Sequence, residues 1–250
     1  ENVIVDNQPV LKGQTFTLTG SDSLVVYMSS QEGGNEIIKK TTFYGEGYSI
    51  NHSFSFNGSS DPGSFYVSWF GGLRPTEKDR NFELSQYTMG YVGQNKDIES
   101  FSFLPSAESD PSDKAVFNGK TDWVAIRNKY FINALISLDA VGGFLEGEPF
   151  MSSSGSILPE FSSGLRFSSG ENITVNQFLG PLDLDYILTT NTYLDRVMNF
   201  GWLPVQPISR SVLWLLKALH SLGLNYGVVL ILFALLIRVV TGPLTKKSHQ

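Results

Sequence analysis

The chain has 250 residues, 41% of them hydrophobic and 13% aromatic, and a formal net charge of −6. This composition excludes global disorder and allows a large packed core, while the absence of cysteine excludes a disulfide framework and thiol chemistry. Residues 201–250 carry Arg210, Lys217, Arg238, Lys246 and Lys247 and no acid, which leaves −11 on residues 1–200 and argues against nucleic acid as a partner.

The chain opens with ENVIVDNQPV, without an initiator Met or the basic start and apolar run of a signal peptide. It is read as an exported chain with its signal removed or as a piece of a longer protein. From there to about residue 180 the signals are those of strands: TFTLTG (15–20), SLVVYMSS (23–30), SFYVSWF (64–70), TDWVAIRNKYFINALI (121–136) and ENITVNQFLG (171–180). Alternation is clearest where Tyr48, Ile50, His52, Phe54 and Phe56 interleave with Ser49, Asn51, Ser53 and Ser55. Period two puts the rings on one face of a half-buried strand. Turn-forming stretches such as EGGNE, NGSSDPGS, FGGLRP and FLPSAESDPSDK separate the segments. No internal repeat and no long helical pattern interrupts them. Many strands without interleaved helices predict a mainly β, large two-sheet antiparallel sandwich over residues 1–181.

Over 182–206 the period changes. Leu184, Ile187, Leu188, Leu194, Val197 and Met198 predict one or two short helices, with Asp183 and Asp185 suited to a helix start, followed by a Pro-containing linker. Residues 207–221 then predict an amphipathic helix, with Pro207 in its first turn and Ile208, Val212, Leu215, Leu216 and Leu219 on one side. Arg210, Trp214 and Lys217 suit a helix lying in the plane of a membrane interface. Leu222–Leu244 is apolar apart from Arg238, about 34 Å as a helix, and predicts a transmembrane span over 222–245. Lys246 and Lys247 place the basic end, 246–250, in the cytoplasm, which leaves the acidic β-domain in the periplasm of a Gram-negative cell.

Arg238 lies about 12 Å along the axis from Lys246, inside the apolar zone, where an arginine costs roughly 2.5–3.5 kcal/mol. Snorkelling over that distance is a stretch, so the arginine is expected to face a hydrated cavity within the membrane.

QPISRSVLWLLKALHSLGLNYGVVLILFALLIRVVTGPLTKKSHQ resembles the start of the shared core of the YidC/Oxa/Alb membrane protein insertases. The Gln-Pro-Ile-Ser start, the helix ending in His-Ser, the Gly/Asn loop, the apolar helix with one Arg and the following Pro-Leu-Thr-Lys all match. Upstream, DWVAIRNKYFINALI resembles that family's Trp-x-x-x-x-x-Lys-Tyr-Phe strand, and FLGPLDLDYI its aromatic-x-Gly-Pro segment. The resemblance implies a periplasmic β-supersandwich similar to sugar mutarotases, and a bacterial inner-membrane protein that is multi-pass when complete. It implies a hydrophilic groove with Arg238 in it, which receives polar parts of nascent membrane proteins. Sec translocon components, membrane lipid and, through regions beyond this chain, the ribosome are the implied partners. A first transmembrane helix ahead of Glu1 and the remaining groove helices after Gln250 are expected to be missing. No catalytic residue, metal or cofactor is implied.

The competing readings are a membrane-tethered mutarotase, a carbohydrate-binding domain and a scaffold. Mutarotase chemistry needs a general acid and base in one cleft, typically two His and a Glu. His220 and His249 lie in the membrane tail, and His52 sits on the ring-bearing face of its strand as a packed residue. The aromatics of YVSWF suit sugar stacking or core packing equally.

Overall fold

The computed structural model describes the backbone of residues 4–5, 8–9, 14–18, 23–32, 35–58, 63–108, 110–152, 155–168, 172–198, 206–221, 223 and 225–247. Side chains are described from residue 23 on, except at 32, 35, 206, 208–210, 213 and 240–247. Residues 1–197 and 198–250 form two compact units.

The first unit is the expected mainly β sandwich. Its strands are β1 (Ile4–Val5), β2 (Gln8–Pro9), β3 (Gln14–Leu18), β4 (Ser23–Glu32), β5 (Asn35–Tyr44), β6 (Ser49–Asn57), β7 (Phe65–Trp69), β8 (Met89–Gln94), β9 (Asp97–Phe101), β10 (Asp113–Asn118), β11 (Trp123–Arg127), β12 (Phe131–Ile136), β13 (Gly142–Met151), β14 (Ile157–Phe167) and β15 (Asn172–Pro181). One antiparallel sheet runs β3-β4-β5-β6-β15-β12-β11-β8-β9 and the other β10-β13-β14-β7, with β1 and β2 a separate pair.

The facing sides of the two sheets make the core. Phe54, Val92, Val124, Leu135, Ile173 and Val175 of the large sheet meet Leu145, Leu165 and Phe167 of the small one. In β6 the buried residues are His52 and Phe54, with the intervening serine and asparagine half-buried, as period two requires. The central strand β11, WVAIR, is buried at four consecutive residues, because both of its faces are covered. Val124 and Ile126 face the small sheet. Trp123 and Ala125 face the other way, where residues 182–197 cross the sheet.

That crossing segment holds α2 (Leu184–Leu188) and a 3-10 turn, Leu194–Val197. Ile187, Leu194 and Val197 are buried, and the Tyr193 ring lies 5.7 Å from the Trp123 ring. The short helices expected from the period change are therefore part of the first compact unit rather than a linker beyond it. Trp123 fits because Gly93 lies opposite it on β8; a Cβ there would stand 2.3 Å from Trp123 Cε2.

One element departs from the expected pattern. An eight-residue helix, α1 (Arg80–Tyr87), lies between β7 and β8. Asp79 caps it by accepting from Phe82 N at 3.0 Å, and Glu83 turns inward, fully buried, to accept from Thr76 N and Glu77 N at 2.6 Å each. Eight residues of low apolar content give no helical periodicity to detect.

The second unit holds α3 (Gln206–His220) and α4 (Tyr226–Lys247). The expected helix over 207–221 is thus displaced by one residue at each end. The apolar helix begins at Tyr226 rather than Leu222, because the chain first turns at Gly223, whose φ of 77° suits glycine. Among the described residues no helix is long and apolar enough to cross a membrane. The side chains of α4 beyond Val239 lie outside the described ones.

Candidate functional site

The elbow between α3 and α4 is tightly made. Gly223 N donates to His220 O at 3.0 Å and Ser221 N to Lys217 O at 2.9 Å, closing the last turn of α3. Asn225 caps α4 by accepting from Gly227 N at 2.9 Å, and the His220 and Tyr226 rings stack at 3.9 Å. Lys217 lies in the last turn of α3, where a cation suits the carbonyl end of the helix dipole.

Beyond the elbow, α4 exposes its apolar side chains. Leu230, Ile231, Leu235 and Val239 are each between 56% and 73% exposed, while Val229 is buried. Each large aliphatic that is fully exposed forgoes about 1.5–3 kcal/mol of burial. Arg238 stands exposed among these side chains. Trp214 is 70% exposed on α3 and Lys217 is half-buried. The side chains of Arg210, Lys246 and Lys247 lie outside the described residues. Trp214 and Lys217 therefore share one helix, and Arg238 stands on the next.

In the β-domain, His52 is 2% exposed and held at both ring nitrogens. Nδ1 is 3.0 Å from Thr41 Oγ1 and Nε2 is 2.9 Å from Gln177 Oε1, while Gln177 Nε2 donates to Asn133 Oδ1 at 2.8 Å. This is a buried side-chain network on the inner face of the large sheet. Of the YVSWF aromatics, Trp69 donates Nε1–H to Gly72 O at 2.7 Å, and Tyr66 packs edge-on against Phe144. Among the described residues no cluster of His, Asp or Glu is placed to hold a metal ion.

The NKYF turn between β11 and β12 carries a second polar centre. Asn128 Oδ1 accepts from Tyr130 N at 3.0 Å and Phe131 N at 2.8 Å, which fixes the turn. Lys129 Nζ lies 2.6 Å and Tyr130 Oη 2.5 Å from the same Glu77 oxygen. The hydrogen bond from Lys129, joined by that from Tyr130, holds the Glu77 carboxyl below the usual carboxylate range; the same bond to Glu77 raises Lys129. At the other end of β11, Tyr193 Oη donates to Asp122 Oδ2 at 2.5 Å and accepts from Lys96 N at 3.1 Å. Burial, reinforced by Asp122, pushes the Tyr193 hydroxyl up. Neither Glu77 nor Tyr193 is flagged by spacing in the sequence, because their partners lie 52 and 71 residues away.

Comparison with known proteins places this geometry. The model of the YidC periplasmic domain matches residues 8–215. The membrane protein insertase YidC of Chlorobium phaeovibrioides is 30% identical over 94% of this chain and 41% of its own length. That of Chloroherpeton thalassium is 29% identical over 97% of this chain and 43% of its own. The chain therefore spans about two fifths of the curated relatives it matches. Among solved structures, the heparan sulfate lyase HepC of Pedobacter heparinus aligns over 72% of this chain and 24% of its own, at 12% identity and a TM-score of 0.42. A putative aldose 1-epimerase of Escherichia coli K12 aligns over 68% of both chains, at 13% identity and a TM-score of 0.36. At these scores neither bears on activity.

Proposed function

Because the chain belongs to the YidC family and carries that family's periplasmic domain, we propose that it forms the periplasmic domain, interfacial helix and first groove helix of an inner-membrane protein insertase. The observation that carries the proposal is the order of parts. A β-sandwich that matches the family's periplasmic domain is followed by an amphipathic helix and then by an exposed apolar helix with a single arginine.

In this reading α4 spans the bilayer, Lys246 and Lys247 lie on the cytoplasmic side, and α3 lies in the periplasmic interface with Arg210, Trp214 and Lys217 toward the headgroups. Arg238 lines a hydrated groove completed by further helices of the whole protein. A fixed guanidinium in low dielectric attracts acidic or polar segments of a nascent membrane protein and keeps water beside them, which lowers their barrier to crossing. No bond is made or broken. Nascent membrane proteins are the substrates, with lipid, Sec components and the ribosome as partners.

The test is insertion of single-span substrates whose polar N-terminal tails differ in acid content, in cells depleted of their own insertase and supplied with the full-length protein. Arg238→Ala at normal protein level loses insertion, and the loss grows with the number of acids in the tail. Arg238→Lys keeps the charge without the fork and loses less. If Arg238→Leu inserts every tail normally, the arginine is only snorkelling and the groove assignment is wrong.

A further inference from the structure

The end of the large sheet that carries the NKYF turn brings three pieces of chain together: α1, the β11–β12 turn and the loop 74–80. Their rings form one surface. Phe82 and Tyr87 of α1 lie 5.9 Å apart, Lys129 Nζ stands 5.5 Å from the Tyr87 ring and 4.9 Å from the Tyr130 ring, and Phe131 follows on the same turn. Phe82, Tyr130 and Phe131 are 55%, 45% and 41% exposed. Isolated exposed rings are ordinary, but Lys129 links the Tyr130 ring to that of Tyr87, against which Phe82 packs, so exposed rings of α1 and of the turn adjoin.

The charge on this patch runs against the rest of the domain. Arg74, Lys78 and Arg80 are exposed on the loop beside it. The acids of the same loop are engaged elsewhere. Glu77 is held by Lys129 and Tyr130, Asp79 caps α1, and Glu83 is buried beneath Thr76 and Glu77. These acids keep their charges, so the four cations Arg74, Lys78, Arg80 and Lys129 outnumber Glu77, Asp79 and Glu83 by one, at one end of a domain of −11.

We infer that this rim is a lipid-contacting surface: Phe82, Tyr130 and Phe131 enter the headgroup layer of the membrane while Arg74, Lys78 and Arg80 meet anionic phospholipid. The inference rests on the membrane attachment proposed above. Two observations favour lipid over a protein partner. Exposed rings beside cations are the composition of a membrane interface. The exposed cations complement anionic headgroups, each cation near such a surface contributing about a five-fold increase in the docked-to-free ratio.

The chain has no cysteine, so a single reporter can be placed at will. The full chain carrying Gln86→Cys, on the exposed side of α1, and separately Lys120→Cys, in the turn ahead of β11 at the opposite sheet end, is labelled with an environment-sensitive fluorophore. Each is reconstituted into vesicles of phosphatidylglycerol and phosphatidylethanolamine bearing headgroup nitroxide quenchers. Flotation with the vesicles checks attachment first; a chain that does not float overturns the membrane reading itself. In a chain that floats, the fluorophore at 86 is quenched and the one at 120 is not. Replacing Arg74, Lys78 and Arg80 together by Gln lowers the docked-to-free ratio roughly 100-fold, about five-fold for each cation. Phe82→Ser with Phe131→Ser, also at exposed positions, lowers it independently. Equal quenching at 86 and 120, quenching unmoved by either set of substitutions, or shielding at 86 only when acidic membrane proteins are added overturns the inference.

Discussion

Replacing Tyr193 by Phe removes one oxygen from the contact that fastens the crossing segment to the large sheet, and leaves the ring in place against Trp123. The lost oxygen donates to Asp122 Oδ2 at 2.5 Å and accepts from Lys96 N at 3.1 Å. A hydrogen bond to a charged group contributes about 1.5–3 kcal/mol. Lys96 is exposed and Asp122 half-buried, so both recover some water, and the net cost falls near the middle of that range, about 2 kcal/mol. For a unit of this size, each kcal/mol moves Tm by roughly 2–4 °C, so Tyr193→Phe melts about 4–8 °C lower.

The pH dependence tests the cause. Burial, then Asp122, raises the Tyr193 hydroxyl above its ordinary value of 10.0. A group whose folded pKa is raised stabilises the fold fully below the unfolded pKa, and that contribution is lost as pH rises toward the folded value. Above about pH 10 the unfolded tyrosine ionises while the folded one stays protonated, so the gap between wild type and Tyr193→Phe narrows from pH 10 upward. Thermal unfolding of the full chain in detergent micelles from pH 7 to 11 measures both effects. A Tm difference below about 1 °C at pH 7, or a gap that stays constant to pH 11, refutes the reasoning.

Three other outcomes are expected. Glu77→Gln lowers Tm at neutral pH, and because the Glu77 carboxyl is held below its ordinary range, its contribution is present above about pH 4.5 and fades as pH falls through the depressed value; melting at pH 7, 5 and 3 reads the convergence with wild type. Gly93→Ala forces a methyl into Trp123 and costs about 1–3 kcal/mol by urea unfolding, with a red shift of tryptophan emission as the indole is displaced. His52→Ala removes the buried ring partner of Thr41 Oγ1 and Gln177 Oε1 and opens a cavity, costing about 2–4 kcal/mol by the same unfolding assay, while polarimetry on a fresh α-sugar shows no catalysed anomerisation by either form.

The parts of the fold that the sequence announces are those governed by one local rule. The alternation around His52 and Phe54 marks β6 because one face of that strand meets the core and the other does not. In β11 the alternation disappears, since Trp123 and Ala125 are covered by a segment that follows some 60 residues later; the run of apolar residues fits a strand but does not name its second cover. β13 and β14 pass unnoticed behind their glycines, prolines and serines. At Gly164 a Cβ would stand 2.4 Å from Phe144 Cε1, so the residue that weakens the strand signal is the one the ring requires. Arg238 stands out in the sequence as the one charge in an apolar run, and the groove proposed for it rests on the cost of a guanidinium inside a bilayer. What completes its surroundings is not written in the same helix.

The Trp-x-x-x-x-x-Lys-Tyr-Phe motif shows how a recognisable string divides its work once folded. Trp123 lies under the crossing segment, in the space left by Gly93, and so fixes the path by which the chain leaves the sandwich. Lys129 and Tyr130 act at the other end of the same strand, where both grip Glu77 and anchor the loop that carries Arg74, Lys78 and Arg80. Asn128, between them in the string, donates Nδ2–H to Arg74 O at 3.2 Å and ties the start of that loop to the turn. Phe131 makes none of these bonds and stays exposed. A packing role explains Trp123 and a loop-fixing role explains Lys129 and Tyr130, but neither explains a ring 41% exposed at the first residue of a central strand. Contact with lipid supplies burial for that ring, at an end of the domain where the cations of a fixed loop stand beside it.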